Sequence, residues 1–354
     1  MELTIKYFLN KSIKKLFPKK RFKINLFSRL LIQDSTIISL PDSLSRIFRG
    51  CGGTSSKAAI KIDFIIDQNS RLILRVKCTS GRTNDGKMAK DIIEILDEND
   101  LVLRDLGYFN LSDFLKIGNK KGYFISRLTK NTQIYLTKEG GNPIDIHKYL
   151  TKLGIKNKNI DINIYVGKNE RIPLRLIGIK VPAEVVEQRK EQYKKKNHGR
   201  CPSEALKEWN KFTLMITNID KEKLNQKTII NLYRLRWQIE LFFKSMKSNL
   251  HVDKITGSNK YRIMCLIFSK IILVWISSIL YAYAQSIVKD KYEISLPKFI
   301  DWLKDGRLKE AIVLKDFENF IHELERDKYW LCKQKRRLKT SLERLDDGLW
   351  IKAA

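Results

Sequence analysis

The chain has 354 residues, enough for two or three domains and a sizeable hydrophobic core. A formal net charge of +30, from 69 Lys and Arg residues against 39 Asp and Glu residues, favours a polyanionic partner such as nucleic acid or an anionic membrane surface. The 43% share of hydrophobic residues argues against a disordered basic tail, and five widely spaced cysteines argue against a disulfide scaffold or a zinc knuckle.

The amino-terminal part of the chain is predicted to be a short basic segment followed by three strands. Residues 1–28 hold at most one basic amphipathic helix and lack the apolar core of a secretory signal. Strands are predicted at 30–40, where apolar and β-branched residues surround one acid, and at 58–66 and 71–78, which the turn at 67–70 joins. Consecutive strands of this kind predict hairpins.

The next part of the chain alternates helices and strands. A helical pattern covers 86–97, the strand LVLRD ends at Asp105, a short helix lies near 111–117 and a fifth strand covers 122–127. Because strand–helix–strand units place parallel strands side by side, these elements predict parallel neighbours. Residues 29–127 are therefore predicted to form the first part of a mixed sheet flanked by helices.

From residue 128 onward the pattern changes to short β-rich pieces. Residues 128–210 are predicted to be a β-rich insertion that ends in a polar helical linker. A strand at 211–217 and two helices then form the second part of the α/β core, 211–290. Residues 291–354 are predicted to form a helical, basic carboxyl-terminal region.

One of these helices is apolar enough to raise the question of a membrane span. Residues 263–284 reach the length of roughly 20 residues that a bilayer requires. Lys270 and several serines interrupt the stretch, and Arg262 flanks it. We therefore predict a buried core helix, with a membrane span as the alternative.

The most informative stretch is the amphipathic helix predicted at 228–250, whose apolar residues cluster on one face. At about 100° of rotation per residue, four other residues share one narrow stripe beside that face. They are Tyr233, Arg236, Glu240 and Lys247. Lys244 lies close to the stripe. A carboxylate held among cations and a phenol suits a metal-binding acid whose neighbours bind phosphates.

Three acids occupy positions that a metal site would use. Asp34 lies inside the first strand, Asp105 ends the fourth strand and Glu240 is on the amphipathic helix. Mg²⁺ prefers a few carboxylates and keeps water or phosphate oxygens at its other positions. Two metal ions about 4 Å apart can activate a nucleophile and stabilise the leaving oxygen of an in-line phosphoryl transfer.

Each acid also has a structural explanation. Asp34 suits an edge strand or a turn, and Asp105 suits the cap of the turn that follows it. Glu240 suits an ion pair with a cation one helical turn away. Asp63 lies within another strand and is a further candidate neighbour of the metals.

Together these residues resemble the DDE transposases of the insertion-sequence-4 family. The spacing Tyr233–x2–Arg236–x3–Glu240–x6–Lys247 is similar to the Y-R-E-K signature of that family. D-S-T at 34–36 resembles its first acid motif, and D-L-G-Y at 105–108 resembles its second, usually D-R-G-Y. The pair Thr217–Asn218 is also similar to that family. The resemblance covers roughly residues 28–290.

The resemblance implies an RNase H-like, retroviral-integrase-like α/β fold. A mixed sheet flanked by helices would carry a β-rich insertion subdomain and a helical carboxyl-terminal region. The implied activity is that of a bacterial insertion-sequence transposase, which cuts transposon ends and transfers strands into target DNA. The implied partner is double-stranded DNA, which a homodimer would bind. The implied location is the bacterial cytoplasm, in association with the nucleoid and not with a membrane.

The resemblance also implies residue roles. Asp34, Asp105 and Glu240 would be catalytic and would hold two Mg²⁺ ions, for which Mn²⁺ substitutes. A second set would bind DNA phosphates near the cleaved end. This set consists of Tyr233, Arg236, Lys244 and Lys247.

Two departures from the family pattern leave alternatives open. Asp34 is reached after only 33 residues, and Leu106 stands where the family commonly has arginine. We therefore expect either a truncated copy or a variant with a short amino terminus and weakened end recognition. The alternatives are a catalytically inactive relic that binds DNA or acts as an inhibitor, a membrane-associated basic protein, and an RNase H-like nuclease that does not join strands.

Overall fold

The computed structural model describes residues 2–3, 26–52, 56–146, 148–149, 159–257, 259–288, 292–307 and 317–332. Apart from residues 2–3 and 26–28, the short basic segment predicted at 1–28 lies outside these ranges, as does the basic tail beyond residue 332. The described chain forms two compact units. The first unit combines residues of Met1–Met88 with residues of Leu235–Thr340, and the second unit comprises residues of Ala89–Arg234.

The strands are, in chain order, β1 (Glu2–Leu3), β2 (Leu30–Leu40), β3 (Ala58–Asp67), β4 (Leu72–Ser80), β5 (Leu101–Arg104), β6 (Tyr123–Arg127), β7 (Ile134–Tyr135), β8 (Asn159–Val166), β9 (Ile172–Lys180) and β10 (Phe212–Thr217). The helices are α1 (Asp85–Met88), α2 (Asp91–Ile95), α3 (Leu111–Asn119), α4 (Ala183–Lys196), α5 (Glu204–Asn210), α6 (Gln226–Arg234), α7 (Trp237–Leu250), α8 (Lys260–Ile287), α9 (Leu296–Trp302) and α10 (Phe317–Leu331). The strands predicted in the two core parts are confirmed to within two residues at each end.

The first unit contains an antiparallel sheet with the strand order β1–β4–β3–β2. β3 lies between two long partners, and every residue of it is buried, as expected for a strand covered on both faces. β2 pairs with β3 in an unshifted register from Leu31 opposite Asp67 to Leu40 opposite Ala58. Because side chains alternate between faces, this register decides which face each side chain of β2 occupies.

The helix α7 packs on one face of this sheet. Phe64 of β3 contacts Phe242 and Phe243, with ring centroids 5.7 Å and 5.5 Å away. Aromatic pairs in tilted and edge-on arrangements bury a large apolar area and restrict the rings to one geometry. These contacts hold α7 at a defined place over the sheet.

The last helices of the first unit share a second hydrophobic cluster. Its buried members on α8, α9 and α10 include Leu280, Tyr281, Ala284, Phe299, Trp302, Phe320, Leu324 and Leu331. The Tyr281 hydroxyl donates to the Ile294 carbonyl at 2.8 Å, and Trp302 Nε1 donates to Asp327 at 2.8 Å. The region predicted at 291–354 is therefore largely helical over the residues that the structure describes.

The apolar helix predicted at 263–284 is α8. Its buried face includes Ile263, Ile267, Ile271 and Val274. Its other face carries exposed apolar side chains such as Leu266. Within the described ranges α8 is the one helix long and apolar enough to cross a membrane, and 39% of its most apolar window is buried. Core helices of soluble proteins meet the same criterion, so its composition is a weak indication of a membrane span.

The second unit contains a mixed sheet with the strand order β5–β6–β10–β9–β8–β7. β5 and β6 are parallel, as predicted, and the other pairs are antiparallel. The β-rich segment predicted at 128–210 supplies β7, β8 and β9. Because β9 pairs with β10, these strands extend the sheet that contains β6. The division into five predicted domains stays a prediction.

The helix predicted at 86–97 is interrupted between α1 and α2. In the first unit, the Met88 carbonyl accepts a hydrogen bond from Gln33 Nε2 at 2.9 Å. In the second unit, the Ala89 carbonyl accepts one from the Arg104 guanidinium. In a continuous helix these carbonyls would accept from N–H groups four residues later. Their engagement by side chains therefore accounts for the interruption.

The helix predicted at 228–250 also consists of two helices, α6 and α7, so the prediction of one continuous helix is wrong. At the junction, the N–H groups of Gln238 and Ile239 donate to carbonyls three residues back, at 3.0 Å and 3.2 Å. Bonds of this spacing tighten the backbone relative to an α-helix. Tyr233 therefore lies on α6 in the second unit, whereas Glu240 lies on α7 in the first.

Differences in burial predict different reactivities of the cysteines. Cys51, Cys201 and Cys265 are exposed, Cys332 is buried, and burial raises the pKa of the Cys78 thiol to about 11. Because the thiolate is the reactive form, we expect iodoacetamide at pH 8 to label Cys78 and Cys332 at least about tenfold more slowly than the other three. Peptide mass spectrometry measures the rates, and labelling in guanidinium chloride is the control. Rapid labelling of native Cys78 would contradict its position on β4.

Candidate active site

Asp34 lies in the middle of β2 on the face of the sheet that α7 covers. It stands directly opposite Phe64 of β3, and such partners in antiparallel strands point to the same face. Phe64 in turn packs against α7. The Asp34 side chain is 21% exposed, and its Oδ1 accepts a hydrogen bond from the Ser35 N–H at 2.8 Å. A partly accessible carboxylate is thus held on a rigid strand.

A single guanidinium joins Asp34 to Glu240. Arg236 Nη1 lies 3.4 Å from Asp34 Oδ2, and Arg236 Nη2 lies 2.7 Å from Glu240 Oε1. The Arg236 side chain is 15% exposed and that of Glu240 is 35% exposed. Arg236 and Glu240 are four residues apart, so the ion pair expected for one helical turn is present. The strand and the helix therefore bring two of the three predicted acids to the same cation.

The two lysines predicted to bind phosphates lie further along α7. Lys247 Nζ donates to the Ile37 carbonyl at 3.2 Å, which places the ammonium group beside β2, three residues beyond Asp34. Lys244 is exposed. Ammonium groups bind phosphate as compact charges without a fixed geometry, so both lysines are suited to the predicted role. That role stays a prediction.

Asp63 lies on the opposite face of the sheet from Asp34. Its β2 partner is Ser35, the residue after Asp34, and side chains of successive residues point to opposite faces. Asp63 is 1% exposed, and its Oδ2 accepts a hydrogen bond from Gln33 Nε2 at 3.0 Å. Gln33 also donates to the Met88 carbonyl at 2.9 Å. Asp63 is therefore a structural acid that helps to fix the segment after β4.

Asp105 belongs to the second unit and directly follows β5. The 3-10 turn Leu106–Tyr108 begins at the next residue, and the Tyr108 N–H donates to the Asp105 carbonyl at 3.1 Å. Asp105 is half-buried, and Leu106 and Gly107 are exposed. The acid thus stands at the carboxyl end of a parallel strand, the edge of an α/β sheet where functional side chains commonly lie.

Arg104 fixes this turn and was not predicted to be important from the sequence. Its side chain is fully buried, and Nη1 lies 3.2 Å from the Tyr108 carbonyl oxygen and 3.3 Å from Asp113 Oδ2. A second bond joins its guanidinium to the Ala89 carbonyl. The signal that could have revealed it is an arginine at the end of an otherwise apolar strand, directly before Asp105. A buried arginine requires partners of this kind.

Tyr233 and the Thr217–Asn218 pair also lie in the second unit. Tyr233 is half-buried near the end of α6. Thr217 Oγ1 donates to the Phe124 carbonyl at 2.6 Å. Asn218 accepts from the Phe124 N–H at 3.0 Å and donates to the Gly122 carbonyl at 2.9 Å. The Thr–Asn pair therefore anchors β10 to β6, while phosphate binding by Tyr233 stays a prediction.

The carboxylates around Arg236 fit a hard divalent cation. Asp34 and Glu240 are partly exposed and offer oxygen donors from a strand and a helix, which is the ligand type that Mg²⁺ prefers. Over the described ranges, no group of three or more His, Cys, Asp and Glu side chains is arranged to hold a metal ion. The complete set of three acids with Asp105 therefore stays a prediction.

Comparisons with known proteins point to one family. The family described as transposase DDE domain matches residues 25–276. The chain is 31% identical over 306 residues to the transposase of insertion sequence element IS231C from Bacillus thuringiensis subsp. berliner, covering 80% of this chain and 63% of that protein. It is 29% identical over 290 residues to the transposase of element IS1151 from Clostridium perfringens, covering 76% of this chain and 61% of that protein.

A further curated relative and one solved structure are also similar to the chain. The chain is 28% identical over 300 residues to the IS231E transposase of Bacillus thuringiensis subsp. finitimus, with 80% of this chain and 63% of the relative covered. It therefore spans about 63% of the length of such curated relatives. A cryo-EM structure of the piggyBac transposase synaptic complex with hairpin DNA aligns with a TM-score of 0.45 and 13% identity, covering 92% of this chain and 61% of that one.

Proposed function

Since this chain belongs to the transposase DDE domain family, we propose that it acts as the DNA transposase of an insertion sequence. In this proposal it cleaves a DNA strand at each transposon end and transfers the freed 3′-hydroxyl into target DNA. The observation that carries the proposal is the pair of carboxylates, Asp34 and Glu240, held around Arg236 within the region that the family match covers.

The proposed metal ligands are Asp34, Asp105 and Glu240, which would hold two Mg²⁺ ions with Mn²⁺ as a substitute. When bound, the metal would lower the pKa of a water molecule and neutralise charge that develops on the scissile phosphate. The carboxylates would supply anionic oxygens at fixed positions. β2 and α7 support this role for two of them, because packing of Phe64 against α7 restricts their movement.

The proposed phosphate-binding groups are Tyr233, Arg236, Lys244 and Lys247. A guanidinium can donate two parallel hydrogen bonds to a phosphate, and an ammonium group adds charge without a fixed direction. Lys247 supports the proposal because its present partner is a neutral carbonyl, which a phosphate oxygen can replace with a stronger, charged acceptor. The formal net charge of +30 supports DNA as the partner.

Because transposition brings two transposon ends together, we further propose that the protein binds double-stranded DNA as a homodimer. We propose that it does so in the cytoplasm of a bacterium, in association with the nucleoid. Light scattering of the protein with and without end duplexes measures the stoichiometry. A complex of two chains and two duplexes is expected.

A strand-cleavage assay tests the proposed function. The substrates are labelled duplexes that carry the DNA flanking this reading frame on either side, with shuffled duplexes as the control and a supercoiled plasmid as the target. Nicks at one position that leave a 3′-hydroxyl, and joined products with the plasmid, are expected in Mg²⁺ and not in EDTA. DNA binding without nicking would favour the inactive relic, and nicking without joined products would favour a nuclease.

A further inference from the structure

The guanidinium of Arg236 lies where two prospective metal ligands converge. Its Nη1 faces Asp34 Oδ2 and its Nη2 faces Glu240 Oε1, so each carboxylate uses one oxygen on the same cation. The other oxygen of Asp34 accepts the Ser35 N–H. A metal ion that takes Oδ2 and Oε1 must therefore compete with Arg236 for both atoms.

We propose that Arg236 is an exchangeable counter-ion of this carboxylate pair. It binds Asp34 and Glu240 while no metal ion is present, and it is released to a DNA phosphate when a divalent cation takes the carboxylates. The inference rests on the proposed function, because it assumes that these two acids bind metal.

The charges explain why such an exchange is favourable. Two carboxylates held close together by β2 and α7 repel each other unless a cation stands between them. The planar fork of arginine can serve both acids at once, which lysine cannot do equally well. A divalent ion brings twice the charge and shorter contacts to oxygen, so it can displace the guanidinium. The displaced Arg236 then lies next to the metal, where a bound phosphate would be.

The exchange couples metal binding to DNA binding. Arg236 opposes the metal in the absence of DNA and attracts DNA once the metal is bound, so each ligand should raise the affinity for the other. Coupling of this kind is reciprocal by thermodynamic necessity. A variant without the guanidinium should therefore bind metal more tightly and DNA more weakly. A purely structural tie between α7 and β2 predicts no gain in metal affinity.

Manganese titration of the DNA-free 354-residue chain tests the inference. Free Mn²⁺ is measured by electron paramagnetic resonance for the wild type, Arg236→Gln, Arg236→Lys and Asp34→Asn. Lys57→Gln is the matched control, because it removes one positive charge from the same unit at a side chain that is 78% exposed and that lies outside the proposed site. Circular dichroism checks that each variant is folded. Arg236→Lys loses the planar guanidinium but keeps the positive charge, and it replaces Arg236→Gln in the comparison if that variant does not fold.

The expected result is a Kd for Mn²⁺ about three- to tenfold lower for Arg236→Gln than for the wild type, with a smaller decrease for Arg236→Lys and less than about a twofold change for Lys57→Gln. Anisotropy of a labelled duplex in Ca²⁺ should show weaker DNA binding for Arg236→Gln. If Asp34→Asn removes the Mn²⁺ site but Arg236→Gln leaves the wild-type affinity unchanged or weakened, the exchange is overturned and the proposed function stands. If Asp34→Asn leaves Mn²⁺ binding unchanged, the proposed metal site falls and the exchange falls with it.

Discussion

Replacing Asp34 with asparagine or Glu240 with glutamine is expected to lower the rate of Mg²⁺-dependent strand cleavage by at least about a thousandfold, equivalent to about 4 kcal/mol in the barrier. Each change removes one negative charge and one strong oxygen ligand from the proposed metal site. The amide keeps the shape of the side chain and retains one oxygen that can accept a hydrogen bond from Arg236. The loss should therefore fall on catalysis more than on folding.

The matched control for this prediction is Asp42→Asn. Asp42 lies in the turn that follows β2, its side chain is 63% exposed, and its contact with Lys57 at 3.7 Å is a weak surface ion pair. Its variant should cleave at the wild-type rate. Cleavage products resolved on a denaturing gel give the rates, and thermal unfolding of each variant shows whether the fold is intact. Wild-type cleavage by both Asp34→Asn and Glu240→Gln would contradict the assignment of the site.

The position of Asp34 within a strand could be predicted from local sequence. Residues 30–40 contain apolar and β-branched residues on both sides of one acid and no glycine or proline, so the strand bounds follow from composition. The face on which the acid lies could not be predicted. Asp34 and Asp63 both interrupt apolar strands, and it is the pairing of β2 with β3 that assigns them to opposite faces.

The contacts of Arg236 show the same division between local and distant information. Its pairing with Glu240 follows from their spacing of four residues on a helix, which can be read directly from the sequence. Its contact with Asp34 joins residues 202 positions apart, and no periodicity in the sequence contains it. The junction between α6 and α7 was also hidden, because a turn with three-residue hydrogen bonds changes the hydrophobic pattern too little to be seen.

The sequence predicts that the segment after residue 128 forms strands. It does not predict which position each strand takes in the sheet. Alternation of apolar and polar residues indicates a strand wherever it occurs. Which edge a strand joins depends on tertiary packing. The pairing of β9 with β10 decides it here, and Gly178 of β9 contributes because a side chain there would meet Leu214 and Ile160.

Removing either partner of the buried ion pair between Arg104 and Asp113 is expected to lower the free energy of unfolding by about 3–5 kcal/mol. Arg104 is fully buried, and the Asp113 side chain is 5% exposed. Arg104→Met would leave the Asp113 carboxylate without this cation and would remove a donor from the carbonyls of Ala89 and Tyr108. Because Tyr108 closes the turn after Asp105, the turn should also become more mobile.

A double-variant cycle separates this pair from general damage to the core. Arg104→Met, Asp113→Leu and the combination of both are compared by urea unfolding, with Lys121→Ala as the matched control from the same unit. Lys121 pairs with Glu98 at 3.3 Å, but both side chains are more than half exposed, so its loss should change stability by less than about 1 kcal/mol.

The double variant should be more stable than the sum of the single losses predicts, because neither charge is then buried without its partner. It should not recover fully, since the two carbonyls that Arg104 served would remain without that donor. Strictly additive losses would mean that Arg104 and Asp113 stabilise the unit independently, and the turn that carries Asp105 would then owe its conformation to the hydrogen bond within it and not to the ion pair.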